Sequence, residues 1–425
     1  MIVNQSMPNL LFLLLASVVV VQPLNGAHPL PDASSSSNAV HNLNDWLSNP
    51  RDSRPPLTNQ PFASVPLTRE DAEEATRILW QDHTDWIRLT RSQEMADKQI
   101  TLTGFTMKFE MLAFTNAPAP NGPSLFISLH GGGGATTAVN DSQWRNQVKL
   151  ASGYRPKEGI YVAPRAPTDT WNLWHQAHID LLFTRLIENL IVISNVNPNR
   201  VYVLGYSAGG DGIYQIVPRT ADRWAAAAMM AGHPNEASPL GLRNVPFAIQ
   251  VGANDHAYHR NEMAVQWGGK LDDLQRADPE GYIHFTKLHA GKGHWMDLED
   301  SIAVPWMEKF ERNTLPKRVV WFQDDVTHTR FYWLAVPENQ PKAGQEVEAT
   351  REGQLVNIEG KGVRQVTVFL NDRMLDLDQP VEIRHAGKAL FAGRLTRSIA
   401  ALSQTLESRG DTNLMFSARV TVSIP

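Results

Sequence analysis

The stretch VLGYSAGGDG, Val203–Gly212, decides the fold because it places four glycines around one serine, Ser207. The residues before it, RVYVLGY, are typical of a buried strand, and those after it favour a helix. Gly205, Ser207 and Gly209 match G-x-S-x-G, the pattern of a tight strand-to-helix turn that presents a nucleophile above a sheet. Side chains two positions before and after the serine would clash in that turn. We therefore predict that Ser207 is a nucleophile.

A serine hydroxyl needs a base, and the base needs an acid to orient it. In the chain order serine, acid, histidine, the acid should follow Ser207 at the end of a later strand. Asp255, in VGANDH, meets this condition. Asp297 is the alternative acid, although its position predicts a helix cap.

His294, in HAGKGHW, is the predicted base because it lies in the loop after the last strand of the repeating pattern. His289 ends that strand and is the main alternative. His256 and His259, spaced by three, could serve a metal on a helix, but no third ligand is evident. We therefore expect no metal and no cofactor.

The run LHGGGG, residues 129–134, should supply the oxyanion hole. Flexible glycines after a strand let backbone N–H groups point at a developing negative charge. One donor is expected from Gly131 or Gly132 and one from the N–H of Ala208. His130 is expected to fix this loop by hydrogen bonding.

These motifs resemble those of α/β-hydrolases. The stretches LHGGGG, NPNRVYVLGYSAGGDG, VGANDHAYHR and GKGHW together are most similar to the bacterial branch of poly(3-hydroxybutyrate)-depolymerase-like and feruloyl- or acetyl-esterase-like enzymes. The resemblance covers roughly residues 95–315. It implies a serine esterase acting on an ester substrate, with carbohydrate- or polyester-linked esters as candidates.

Two other functions remain open from the sequence. A serine peptidase of the prolyl-oligopeptidase type would use the same triad, although no large propeller-like domain is evident. A non-catalytic protein that binds glycan or cell wall could also keep a hydrolase fold. Hydrolysis of esters but not of anilides would distinguish the leading function from both.

Three tryptophans are candidate substrate-binding residues. Trp171 and Trp174 lie in PTDTWNLWHQAH after a predicted strand, and Trp295 adjoins the predicted base. Indole rings could stack on a sugar or an aromatic acyl group. The alternative is that each ring buries loop surface.

The order of apolar runs predicts an α/β fold with a doubly wound, mostly parallel sheet. Short runs such as SLFISLH, GIYVAP and PFAIQVG alternate with helical stretches, as in α/β proteins. The catalytic domain should span residues 67–316. Residues 320–425 should form a small β-sandwich-like domain. Its strand THTRFYWLAV has apolar bulk on both faces, so we expect one face to pack on the catalytic domain, with a bound ligand as the alternative.

Composition limits the remaining choices. The chain has 425 residues, 42% of them hydrophobic, a formal net charge of −5 and no cysteine. It therefore lacks the basic footprint of nucleic-acid binding and cannot form disulfides.

The N-terminus predicts export. The apolar run over residues 10–21 suits the core of a signal peptide spanning residues 1–26, with a membrane anchor as the alternative. Residues 27–66 are rich in Pro, Ser and Asn, which favours a disordered linker. The protein should thus be periplasmic or secreted, with no stable membrane span after signal removal.

Overall fold

An eight-stranded sheet organises residues 99–289 of the computed structural model, which describes residues 30–425. The strands are β1 Gln99–Leu102, β2 Phe105–Thr115, β3 Leu125–Leu129, β4 Glu158–Pro164, β5 Val201–Tyr206, β6 Ala226–Met230, β7 Phe247–Gly252 and β8 His284–His289. Their order in the sheet is β1-β2-β4-β3-β5-β6-β7-β8. β1 and β2 are antiparallel, and β3 to β8 run parallel. This confirms the predicted fold class.

Helices cover both faces of this sheet. They are α3 Thr137–Tyr154, α4 Ala177–Ile193, α5 Ala208–Arg219, α6 Arg260–Ala277 and α7 Ala303–Met307. Val201 and Val203 of β5 face the core under α4, α5 and α6. Tyr202, Leu204 and Tyr206 face the core under α3 and α7. A parallel strand buried on both faces reads as a continuous apolar run, as β5 does.

The predicted disordered linker over residues 27–66 is wrong for the part that the structure describes. Helix α1, Ala33–Ser48, begins at Asp32, whose carboxylate accepts a hydrogen bond from the N–H of Ser35. Its buried side chains Ala39, Val40 and Leu43 belong to a core shared with α2, Arg69–Ala96, and α8, Ile399–Arg409, and α1 packs on α2. Helically spaced apolar residues outweigh a polar composition once two helices supply a partner surface. The predicted signal peptide over residues 1–26 lies outside the described residues.

The C-terminal region consists of two β-sheets and α8. Its strands are β9 Arg318–Phe322, β10 Arg330–Phe331, β11 Leu334–Ala335, β12 Glu346–Glu352, β13 Leu355–Lys361, β14 Gln365–Leu370, β15 Val381–His385, β16 Lys388–Gly393 and β17 Ala418–Ser423. One sheet has the order β10-β11-β14-β17 and the other β16-β15-β13-β12-β9. All their pairs are antiparallel except β13 with β15.

The C-terminal sheets pack directly on the region of the central eight-stranded sheet, the predicted catalytic domain. Phe331, Tyr332 and Trp333 are buried within a core shared with the central sheet. The N–H of Tyr332 donates to the carboxylate of Asp222, 3.1 Å away. The aromatic strand thus packs on the catalytic region, as expected. Across residues 30–425, no helix combines the length and the apolar character needed to cross a bilayer.

Candidate active site

Ser207 lies between β5 and α5 in a strained backbone conformation. Its φ is 58° and its ψ is −122°, outside the regions that L-residues prefer. The backbone N–H of Ser207 donates to the carbonyl oxygen of Met230 at 2.9 Å. A Cβ on Gly205 would lie 2.3 Å from the carbonyl oxygen of Gly209, and one on Gly209 would lie 2.2 Å from that of Leu129. These close approaches explain why glycine flanks the serine on both sides.

Three side chains from separate loops form a continuous hydrogen-bonded chain. Ser207 Oγ lies 3.0 Å from His294 Nε2, and His294 Nδ1 lies 2.8 Å from Asp255 Oδ2. Asp255 is buried after β7, whereas His294 follows β8 and is partly exposed. When the Nδ1–H donates to the carboxylate, Nε2 is free to accept the serine proton. The geometry is that of a nucleophile, a base and an orienting acid.

The two alternative residues lie elsewhere. His289 is fully buried, with Nε2 2.7 Å from Gln250 Oε1 and Nδ1 3.1 Å from Glu299 Oε2. Asp297 accepts a hydrogen bond from Lys292 Nζ at 2.8 Å. The structure therefore brings together Ser207, Asp255 and His294 and assigns the alternatives to other contacts.

The glycine-rich loop over residues 130–134, here called the oxyanion loop, is held by buried polar side chains. His130 Nε2 accepts the N–H of Ala166 at 3.1 Å, so its Nδ1–H donates to the carbonyl of Gly131. Burial lowers the pKa of His130 to about 4, which keeps the ring neutral for these two roles. Asn140 accepts from the N–H of Gly133 and donates to its carbonyl, both at 3.0 Å. His130 therefore fixes the loop, as expected.

The oxyanion loop lies against Ser207. A Cβ on Gly131 would be 3.1 Å from the Cβ of Ser207. Gly132 has a φ of 113°, a conformation open mainly to glycine. Ala208 begins α5, where backbone N–H groups have no partner earlier in the helix. These positions suit donors to an oxyanion at Ser207.

The predicted tryptophans divide into two kinds. Trp171 and Trp295 are exposed by 63% and 48%, next to the oxyanion loop and the base respectively. Trp174 is fully buried, and its Nε1–H donates to the carbonyl of His130 at 2.9 Å. The prediction that Trp174 binds substrate is therefore wrong, because its indole supports the oxyanion loop from below. The spacing of two tryptophans in a loop does not indicate which one faces the core.

Sequence reasoning did not single out Tyr206. Its hydroxyl donates to the carbonyl of His294 at 2.7 Å and accepts from the N–H of Met296 at 3.0 Å. The sequence offered one signal for such a role: Tyr206 directly precedes Ser207 and lies on the strand face opposite Val203. The partner loop comes from distant sequence, so the contact itself was not predictable.

Arg260 lies near the carboxylate of Asp255 but makes no hydrogen bond to it. Its Nη1 lies 3.9 Å from Asp255 Oδ1, beyond hydrogen-bonding distance. It also packs over the ring of Tyr258. Its positive charge therefore faces the buried carboxylate of Asp255.

Comparisons with known proteins found one curated relative and several solved structures that are described as esterases. No family model matches the sequence. A curated relative, the putative esterase NocK of Nocardia uniformis subsp. tsuyamanensis, is 28% identical over 152 residues, which are 34% of this chain and 44% of that protein. The chain thus matches less than half of that relative's length.

Solved structures with a similar fold include several esterases. The poly(3-hydroxybutyrate) depolymerase LpqC from Bordetella parapertussis is 14% identical, with a TM-score of 0.40 over 54% of this chain and 96% of that one. A thermostable esterase is 17% identical, with a TM-score of 0.38 over 51% and 64% of the two chains. From the topology of its own central sheet and the turn at Ser207, the chain is an α/β-hydrolase by fold, and it is similar to esterases of that fold.

Proposed function

We propose that the protein is a serine hydrolase that cleaves carboxylic esters through an acyl-enzyme intermediate. The observation that carries this proposal is the chain Ser207–His294–Asp255, with contacts of 3.0 and 2.8 Å, at the end of a strained strand-to-helix turn. A serine in this setting is activated by the adjacent imidazole.

The chemistry follows from the positions of the three groups. Ser207 Oγ attacks the ester carbonyl while His294 Nε2 takes its proton, and Asp255 stabilises the imidazolium that forms. The N–H of Ala208 and that of Gly131 or Gly132 donate to the tetrahedral oxyanion. His294 then protonates the departing alcohol. Water, deprotonated by His294, hydrolyses the acyl-enzyme and restores Ser207.

The exposed indoles of Trp171 and Trp295 supply the proposed substrate surface. They lie on the loops that flank the nucleophile, and aromatic rings bind the faces of sugars or aromatic acyl groups. Esters linked to a carbohydrate or a polyester are therefore the candidate substrates. The apolar N-terminal run supports a periplasmic or secreted location for this activity.

The test compares wild type with Ser207→Ala. Wild type should hydrolyse p-nitrophenyl esters, leave aminoacyl p-nitroanilides intact and be labelled by a fluorophosphonate at Ser207. The variant should fold normally and lose roughly 10⁴- to 10⁶-fold in kcat, as expected for removal of a triad nucleophile. Labelling that persists in Ser207→Ala would contradict the assignment, and turnover of anilides would favour the peptidase instead.

A further inference from the structure

The hydroxyl of Tyr206 bridges two backbone groups of the segment that carries the base. It donates to the carbonyl of His294 and accepts from the N–H of Met296, so its two contacts bracket Trp295. The Tyr206 ring also lies 5.7 Å from the indole of Trp295. One side chain therefore bonds through its hydroxyl to the backbone of the base and lies with its ring beside the exposed indole that follows.

This segment has little regular structure to hold it. Residues 290–298, here called the base loop, follow β8 and contain turns but no helix or strand. Gly291 has a φ of 73°, and a Cβ at Gly291 or Gly293 would meet no atom within 4 Å. Loops of this kind sample several conformations unless side chains fix them. The loop is anchored by the N–H of Asn254, which donates to the carbonyl of Lys292 at 2.8 Å, by the contact of His294 with Asp255 and by the buried Met296 side chain. The hydroxyl of Tyr206 adds the contacts that hold the backbone of residues 294 and 296.

Tyr206 is suited to that task by its place in the sheet. It is the last residue of β5 and adjoins the nucleophile in sequence, so the strand that positions Ser207 also positions the phenol. It is buried, and burial raises the pKa of Tyr206 above its ordinary value of 10.0. The phenol therefore stays neutral, with one proton to donate and lone pairs to accept, at any pH where the imidazole can act as a base.

We propose that Tyr206 is a positioning residue of the reaction, whose hydroxyl clamps residues 294–296 and so holds both the base and Trp295 over Ser207. The inference rests on the proposed function. In this view the Tyr206 side chain keeps the nucleophile aligned with the base. A misplacement of about 1 Å between such groups lowers the reaction rate strongly.

The test is Tyr206→Phe, with Tyr202→Phe as the matched control. Tyr202 lies on the same strand and the same face, is fully buried, and donates its hydroxyl proton to the carbonyl of Phe310 at 2.8 Å, away from the triad. Active sites are counted by fluorophosphonate labelling, so kcat is expressed per labelled site. Tyr206→Phe should label to completion but about 10- to 100-fold more slowly, with a similar fall in kcat per site.

Two substrates distinguish the effect of Tyr206 on the base from its effect on Trp295. For p-nitrophenyl acetate, KM in Tyr206→Phe should stay within about two-fold of wild type. For an aromatic acyl ester that stacks on Trp295, KM should rise as well. Tyr202→Phe should keep the wild-type kcat per site on both substrates.

Two results would overturn the inference. One is a kcat per labelled site in Tyr206→Phe equal to that of Tyr202→Phe, because a purely structural role reduces the number of active molecules and not their rate. The other needs no variant: an unprotected Met296 amide in hydrogen exchange of wild type would mean that the clamp is absent. Failure of wild type to label at Ser207 would instead refute the proposed function.

Discussion

At the scale of single residues, the carboxyl group of Asp211, close after Ser207, makes the stability of the protein depend on pH. It lies in the first turn of α5, and its carboxylate accepts the N–H of His233 at 2.6 Å. Burial raises the pKa of Asp211 to about 6, although the His233 N–H and the charge of Arg260 oppose the rise. Because this value exceeds the ordinary 3.8, the unfolded chain releases the proton more readily than the folded protein does. The folded protein therefore loses stability as the pH rises from about 4 through about 6, because the carboxyl group must then ionise in a buried place.

We therefore predict that Asp211→Asn removes this pH-dependent cost. An Asn oxygen can still accept from His233 but carries no charge. The difference in free energy of unfolding between variant and wild type should move in the variant's favour by about 1–3 kcal/mol between pH 4 and pH 7.5. Urea denaturation at the two pH values measures it, with the exposed Asp273→Asn as the baseline. A difference that stays constant with pH would show that Asp211 is not buried in its charged form.

The same scale shows what the sequence could and could not predict. The proximity of Ser207, Asp255 and His294 was predictable because each belongs to a motif at the end of a strand, and parallel strands bring those ends together. Trp174 was misassigned because its role depends on the facing carbonyl of His130. The contact of Tyr206 with the base loop joins segments distant in the chain, which no local pattern reveals.

At the scale of elements, the N-terminus of α5 lies so close to the end of β3 that position 209 has no room for a side chain. A Cβ on Gly209 would lie 2.2 Å from the carbonyl oxygen of Leu129, whereas one on Gly269, within α6, would meet nothing within 4 Å. The two glycines share a helical setting but differ in their surroundings, so they form a matched pair.

We predict opposite effects for alanine at these two positions. Gly209→Ala should lose about 2 kcal/mol or more in free energy of unfolding, and its kcat should fall by about 100-fold as α5 moves the nucleophile. Gly269→Ala should gain about 0.5–1 kcal/mol with unchanged turnover, because alanine is the better helix former. Urea denaturation and ester hydrolysis of both variants check the pair. Equal stability gains would mean that helix propensity, and not the approach to β3, determines the outcome.

Elements also explain the error at the N-terminus. The alternation of apolar runs predicted the central sheet, since each strand carries its own pattern. Helix α1 has few apolar residues, and they acquire a buried face only because α2 and α8, far apart in sequence, lie side by side. From the sequence alone, a segment that packs on elements distant in the chain is therefore predicted to be a linker.

At the scale of the whole molecule, a buried charge network joins the catalytic region to the C-terminal sheets. Asp222 accepts hydrogen bonds from Arg409 Nε at 2.9 Å and from the N–H of Tyr332 at 3.1 Å. Burial alone would raise the pKa of Asp222, but Arg409, Arg223 and Arg330 hold it below its ordinary value. The carboxylate therefore stays charged between cations from both regions, so the two regions should unfold together.

Removing that carboxylate should weaken both regions at once. In Asp222→Ala, Arg409 loses its buried partner and the N–H of Tyr332 its acceptor, which should cost about 3–5 kcal/mol. We expect tryptophan fluorescence, to which the buried Trp321 and Trp333 contribute, and labelling at Ser207 to be lost together, at a lower urea concentration than in wild type. The exposed pair of Asp273 and Arg276 supplies the control, since Asp273→Ala should change stability by less than about 0.5 kcal/mol. If fluorescence changes at lower urea while labelling persists as in wild type, the part that unfolds first does not include Ser207, and the two regions do not unfold together.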